Sequence, residues 1–387
     1  MERVIAGERS DWRELAGKMG FHFHTLEGTP YWDESAHYRL SLREIEAGLE
    51  APTGELHEMC MDLVARAVRD EDYLRRLAIP PRFWDFIRNS WLRGDPHLYG
   101  RMDLAYDGRG PAKLYELNYD TPTSLYECAV FQWVWLEQGI ERGMLPRSAD
   151  QFNSVQQKLQ QAFQLIGSRL DAVIHFASIR DIVEDLATVE YLQDVARQAG
   201  LRTQYIAMED IGVSADGRYT DLQDQVIEAI FKLYPWEFMF DEEFARFLPG
   251  APNVWFEPPW KAVLSNKGAL ALLWERHPEH PNLLPAYIDD SPGGSLPAGW
   301  VRKPFFSREG ANVELATTTG ERLKVPGPYG EGPFVRQAFH ALPAFGGFHC
   351  LIGSWVIGDQ PAGIGIREDD SLITRDTARF VTHAIVD

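Results

Sequence analysis

RMDLAYDGRGPAKLYELNYDTPTS, residues 101–124, decides how the chain is read. Residues 101–106 and 113–118 each alternate polar and apolar side chains, and Asp107-Gly108-Arg109-Gly110-Pro111 between them is strong turn chemistry. In a β-strand, residues two apart share a face. Arg101, Asp103 and Ala105 then share one face of the first strand. Glu116, Asn118 and Asp120 share one face of the second. Antiparallel pairing with Tyr115 opposite leaves Lys113 off that face, and Met102, Leu104, Leu114 and Leu117 turn to a core. The expected result is a patch of Asp103, Glu116 and Asn118 oxygens with the Arg101 guanidinium beside it. Hard oxygen ligands suit Mg²⁺, which takes one or two carboxylates plus phosphate oxygens. Arg101 suits a phosphate. The pattern points to nucleotide chemistry, and it is equally compatible with the charged outer face of an exposed hairpin.

The 387 residues suffice for a large core in two or three lobes, and 45% hydrophobic with 25% charged residues is ordinary for a globular chain. A net charge of −19 argues against nucleic-acid or anionic-membrane partners, which need a basic surface. It is compatible with a cationic partner such as a polyamine. Cys60, Cys128 and Cys350 fit neither a disulfide framework nor a zinc site, so reduced thiols in a cytoplasmic protein are expected. No apolar run reaches membrane-spanning length, and residues 1–15 lack a signal-peptide core.

Outward from the hairpin, Ser41 and Glu44 make a capping box, and Leu56, Met59, Cys60, Leu63, Val64 and Val68 mark a core-facing helix. His22 and His24 alternate without a third ligand, so ordinary polar positions are expected. Residues 124–138 read as a buried helix behind the patch. Strand 172–177, helix 183–198 and strand 202–207 give a βαβ rhythm and a parallel sheet. Glu184 and Asp185 fall at the carboxyl end of that first strand, where α/β sheets place ligands; they are equally good first-turn acids of a helix. Residues 266–274 read as a helix with Lys267 in its first turn. A lysine there opposes the helix dipole, and a phosphate at the helix start would explain it. Short strands with Gly and Pro follow from residue 300. Lys303 ends one, and residues 307–312 form a small-residue turn whose N–H groups can meet phosphate oxygens. It is neither a Walker A loop nor a Rossmann fingerprint.

As an ordered set these pieces resemble the synthetase domain of the glutathionylspermidine synthase family of ATP-grasp ligases. Its R-x-D and E-x-N-x-D signature is matched by Arg101-Met102-Asp103 and Glu116-Leu117-Asn118-Tyr119-Asp120. Its G-N-K-A-like helix start is matched by Ser265-Asn266-Lys267-Gly268-Ala269. Its K-P strand end and glycine loop are matched by Lys303-Pro304 and Arg308-Glu309-Gly310-Ala311-Asn312. Its late L-R-x-D-x-S-L segment is matched by Ile366-Arg367-Glu368-Asp369-Asp370-Ser371-Leu372. The resemblance implies that Asp103, Glu116 and Asn118 hold two Mg²⁺ ions on ATP. Lys267, Lys303, Glu309 and Gly310 would meet the nucleotide, and Arg101 and Arg367 would steady the γ-phosphoryl group. The adenine would lie against the strand of Gln337, Ala338 and Phe339. Thr121 keeps the family's small hydroxyl, and Glu184-Asp185 matches an acidic pair used toward substrates. A family threonine that helps hold glutathione is replaced by Leu233. The N-terminal amidase domain of the bifunctional members is not matched, so amide hydrolysis is not expected.

The implied activity is an ATP- and Mg²⁺-dependent carboxylate–amine ligase acting through an acyl-phosphate on small molecules, a peptide-like acid and a polyamine among them. Competing readings are a catalytically inactive nucleotide-binding regulator and a metal-dependent hydrolase using Asp103 and Glu116. The hydrolase leaves Lys267, Lys303 and the glycine loop unexplained. The predicted fold is α/β, a permuted ATP-grasp core with a smaller βαβ lobe. The predicted division is 1–150 (helical region and metal-binding hairpin), 151–260 (βαβ substrate-side lobe) and 261–387 (nucleotide-binding region).

Overall fold

The computed structural model describes all residues of the chain except 27, 290–292 and 331. Three main sheets organise the described residues. The central sheet runs Glu2–Ile5, Trp32–Leu40, Arg379–Ile385, Gln360–Asp369, Phe348–Ile357, Tyr99–Ala105 and Lys113–Asn118, with Ala344–Phe345 pairing off Phe348–Ile357. All its pairings are antiparallel except that of Arg379–Ile385 with Trp32–Leu40. The predicted hairpin is therefore one edge of a sheet to which both ends of the chain contribute. Its longest pair turns through Gly358-Asp359, and Gly358 has φ +56°, open to glycine at the first place of a tight hairpin loop.

The hairpin register departs from simple alternation. Arg101 pairs with Asn118, Met102 with Leu117 and Asp103 with Glu116, but Leu104 pairs with Leu114. Tyr115 is the extra residue of a β-bulge rather than a ladder partner. Leu114 and Leu117 lie three apart, so a regular strand would turn them to opposite faces. The bulge lets both join Met102 and Leu104 in the core while Glu116 and Asn118 stay opposite Asp103 and Arg101.

The other elements follow the predicted patterns with shifted ends. Ser41 and Glu44 form the capping box, and helix Ala51–Ala67 buries Leu56, Met59, Cys60, Leu63 and Val64. The three cysteines are free and buried. The stretch after Ser124 is helical, with a π-turn at Glu127–Phe131 before Gln132–Glu141. The second sheet is parallel, in the order Val254–Phe256, Ala229–Leu233, Ile174–Ser178, Thr203–Ala207, and helix Val183–Gln198 makes the crossover. The third is antiparallel, in the order Ala286–Asp289, Phe334–Ala338, Trp300–Pro304, Glu314–Ala316, Arg322–Lys324. No helix among the described residues is long and apolar enough to cross a membrane.

Two buried ion pairs tie the parallel sheet to the hairpin. Lys232 Nζ lies 2.7 Å from Asp120 Oδ1, and both side chains are enclosed. Lys261 pairs with Glu257, whose Oε1 also accepts the Leu98 and Tyr99 N–H groups at 3.0 and 3.1 Å. Removing one member of such a pair strands the other charge without water. Lys232→Met is therefore expected to destabilise the protein by about 3–5 kcal/mol. Lys18→Met, which removes an exposed pair with Glu14, should leave the urea midpoint unchanged. Equal midpoints for the two variants would contradict this account.

Candidate active site

The sheet brings Arg101, Asp103 and Arg367 together from two strands separated by a third. Arg101 grips the Asp103 carboxylate through Nε at 2.7 Å and Nη2 at 3.2 Å, and its Nη1 donates to the Thr123 carbonyl at 2.6 Å. Arg367 Nη2 reaches the same carboxylate at 3.2 Å. Gly353 on the intervening strand pairs with Asp103, and a Cβ there would lie 2.8 Å from Arg101 Cδ. Only glycine leaves room for the guanidinium to lie across. Arg101 is 6% and Asp103 4% exposed, so the outer face of an exposed hairpin is excluded. Burial works to raise the Asp103 carboxyl, but Arg101 and Arg367 outweigh it and hold it below the usual carboxylate range.

The two lysines arrive from opposite sides of the bulge. Lys267 Nζ is 2.8 Å from Glu116 Oε1 and also donates to the Ser307 carbonyl. Its predicted place in a first helical turn is corrected: the helix is Ala269–Arg276, with Gly268 as N-cap. The Asn266 side chain instead accepts the Gly268 N–H at 2.8 Å and donates to Leu77 O, so a local loop presents Lys267. Lys303 Nζ donates to Tyr115 O at 3.0 Å and to Gln337 Oε1 at 2.8 Å, and Gln337 Nε2 donates to Leu114 O at 3.0 Å. The carbonyls of the bulge are thus what seats Lys303. Burial, with Lys267 adding to it and Glu116 opposing it, pushes Lys303 down to about 8.

These residues line one cavity together with Asn118, Thr121, Glu309 and Gly310. Ala338 and Phe339 line it as well, beside apolar Leu342 and Leu351, whereas the Gln337 side chain is committed to Lys303 and the bulge. The set fits Mg²⁺. Asp103 and Glu116 face each other in register, and Asn118 follows on the same face. Among the described residues no three His, Cys, Asp or Glu side chains converge as a metal cage. Mg²⁺ needs none, because phosphate oxygens and water complete its octahedron.

Glu184 and Asp185 start helix Val183–Gln198 and stand beside the cavity rather than in its wall. Two acids escaped the sequence reading. Glu127, fully buried in the π-turn, accepts a hydrogen bond from Tyr31, and its Oε2 has no hydrogen-bond partner among the described residues. Glu237 lines the cavity and pairs with Arg308 at 2.8 Å. Each is a lone acid in an aromatic run, Tyr126-Glu127-Cys128 and Trp236-Glu237-Phe238, and that contrast was the available signal.

Burial first, and then repulsion by Glu127, Asp185 and Glu309, pushes Glu184 up to about 8 against Arg367. Burial pushes Glu127 up to about 7 against the Tyr31 hydrogen bond, and Asp185 up to about 6 against Arg308. A carboxyl raised in the folded state keeps its proton where the unfolded chain has lost it. Folded stability from these groups therefore falls as pH rises from about 4 to about 8. Glu184→Gln removes the share of that dependence that belongs to Glu184. Its urea midpoint relative to wild type is expected to climb steadily between pH 5 and pH 8, and a flat difference would contradict the assignment.

The family model described as glutathionylspermidine synthase preATP-grasp matches residues 3–386. A Haemophilus influenzae protein provisionally named an acid–amine ligase is 40% identical over the full length of both chains. Trypanothione synthetase of Crithidia fasciculata is 29% identical over 83% of this chain and 52% of its own length. The Escherichia coli bifunctional glutathionylspermidine synthetase/amidase is 27% identical over 88% of this chain and 58% of its own. The chain thus spans little more than half of these two relatives. A glutathione synthetase-like effector of Globodera pallida superposes with TM-score 0.58 over 97% of this chain and 96% of its own, at 10% identity, a likeness of fold. Fold, ordered motifs and a match over nearly every residue agree: the chain belongs to the glutathionylspermidine synthase family of ligases, with a mixed α/β fold of the ATP-grasp type.

Proposed function

We propose that the cavity joins a carboxylic acid to an amine at the expense of ATP, through an acyl-phosphate. The observation that carries this reading is the charge arrangement at the bulge. Four cations, Arg101, Arg367, Lys267 and Lys303, meet Asp103 and Glu116 in one cavity. Phosphoryl transfer needs little covalent work from a protein and much positioning and charge stabilisation. Asp103, Glu116 and Asn118 would hold the Mg²⁺ ions, two in number, which supply charge neutralisation of the phosphates when bound. Lys267 and Lys303 exchange Glu116 and backbone carbonyls for phosphate oxygens, with Glu309 and Gly310 of the following loop closing over them. Arg101 and Arg367 hold the transferring phosphoryl group, and Ala338 and Phe339 flank the base.

Thr121 lies where the acid would be oriented. Asp185, the most acidic of the three, would offer negative charge to the incoming ammonium, and Glu184 and Glu127 would ionise as that cation displaces their protons. A small-molecule amine with more than one positive charge suits such a cluster. The relatives named for glutathionylspermidine and trypanothione synthesis support an acid–amine pair of this class.

Purified protein incubated with ATP, Mg²⁺ and pooled acids and amines tests the reading. Stoichiometric ADP and a condensed product by mass spectrometry are expected. Nucleotide binding without ADP would favour the regulatory alternative, and substrate cleavage without ATP a hydrolase. Glu116→Ala is expected to lower Mg²⁺-dependent ADP formation about 10²-fold at an unchanged melting temperature. Full turnover in that variant would remove Glu116 from the metal site. Leu233 is buried at the end of strand Ala229–Leu233 and offers no polar side-chain atom. Glutathione with spermidine is therefore expected to be a poor pair, with kcat/KM below about 10⁴ M⁻¹s⁻¹. A higher value would show that Leu233 does not set specificity.

A further inference from the structure

The segment after Lys303 is held at three points. Lys267 Nζ binds the Ser307 carbonyl. Gly310, at φ +71°, sits against Ile373 and Thr374 so closely that a Cβ would lie 2.7 Å from Ile373 Cγ2. Between these, Arg308 bridges two other parts of the molecule. Its Nη1 donates to Thr121 Oγ1 and its Nη2 to Glu237 Oε1, each at 2.8 Å.

Glu237 is itself located by the residue next to Thr121. The Asp120 carboxylate accepts the Trp236 N–H at 2.8 Å, which fixes the start of helix Trp236–Asp241, and it also pairs with Lys232. The contacts close a ring. Asp120 sets Trp236, Trp236 sets Glu237, Glu237 holds Arg308, and Arg308 returns to Thr121. Metal hairpin, glycine loop and parallel sheet meet at one guanidinium. The Glu237 side chain is 12% exposed and that of Arg308 32%, so the pair is partly enclosed, with Glu237 the more sheltered member. It is also single-pronged. Glu237 Oε2 and Arg308 Nε are both buried without a hydrogen-bond partner among the described residues. One acceptor and one donor are left for the polar groups of a substrate.

We propose that Glu237 is a positioning residue for the ligase reaction: it clasps Arg308 so that the loop stays closed over the acyl-phosphate until the amine attacks. The inference rests on the ligase reading above. The acyl-phosphate has two fates. Amine attack forms the C–N bond, breaks the C–O bond to phosphate, and releases phosphate and a proton. Water attack breaks the same bond but returns the free acid, so ATP is spent without product. A closed loop favours the first by excluding water.

The clasp is made by protein groups alone, so hydrogen exchange of residues 304–313 in protein without added nucleotide probes it apart from catalysis. Glu237→Gln keeps the side-chain size and removes the charge. It is expected to speed exchange there about tenfold while exchange in helix Ala51–Ala67 stays as in wild type. In turnover it should lower the yield of amide per ADP at least about threefold with KM for ATP within about twofold of wild type. Glu237→Gln combined with Arg308→Ala should be no worse than Arg308→Ala alone, because the two residues act as one. Wild-type exchange and amide yield in Glu237→Gln, or losses that add in the double variant, would overturn the proposal. If wild type makes no amide from any acid–amine pair, the ligase reading fails, and the exchange data still judge the clasp on its own.

Discussion

Asp103 is a buried carboxylate in a central sheet, and a charge in that position must be paired. The need is met by Arg101 two residues away on the same face and by Arg367 reaching across the Gly353 strand. Much of the site follows from satisfying this one group. The glycine at 353 is required because a side chain would meet Arg101. The strand carrying Arg367 is anchored behind by Glu368, which is buried and gathers Arg3, Tyr38 and Arg379. The N-terminal strand therefore contributes to holding the arginine in place through Arg3.

The second constraint is the bulge at Tyr115. It turns Glu116 and Asn118 toward Asp103 while Leu114 and Leu117 both stay in the core. It also drops Tyr115 out of the ladder, where its carbonyl takes Lys303, beside the outward edge carbonyl of Leu114, which takes Gln337. The same irregularity that solves the packing problem seats a cation opposite two carboxylates. The site is a set of ion pairs between lysines, arginines and carboxylates. On the proposed reading, the lysines resting on Glu116 and on carbonyls would transfer to phosphate oxygens while the carboxylates take a metal.

The hairpin, the shared face of Arg101, Asp103, Glu116 and Asn118, the capping box and the parallel βαβ passage were legible because each is written in local period or turn chemistry; Lys113, expected off that face, pairs with Ala105 once the bulge shifts the register. The bulge was only hinted at, by two leucines three apart that both suit a core. The start of the Lys267 helix was misjudged because Asn266 resembles an N-cap. Its side chain instead spans Gly268 and Leu77, and Leu77 is 189 residues away in sequence. Glu127 and Glu237 were missed for a related reason. Their partners, Tyr31 and Arg308, lie 96 and 71 residues away, and no local pattern announces such a pairing. The cavity is assembled from segments scattered between Arg101 and Thr374, so its full membership becomes visible only once the sheet order is known.

The central claim is that the bulged edge of the central sheet presents a receptor for ATP together with Mg²⁺. Calorimetric titration of wild-type protein with ATP, once with Mg²⁺ and once with a chelator, tests it most directly. Saturable one-site binding that needs Mg²⁺ is expected, because without the ion Asp103 and Glu116 face the phosphates unscreened. Binding of equal affinity in chelator, or no binding with Mg²⁺ present, would contradict the account.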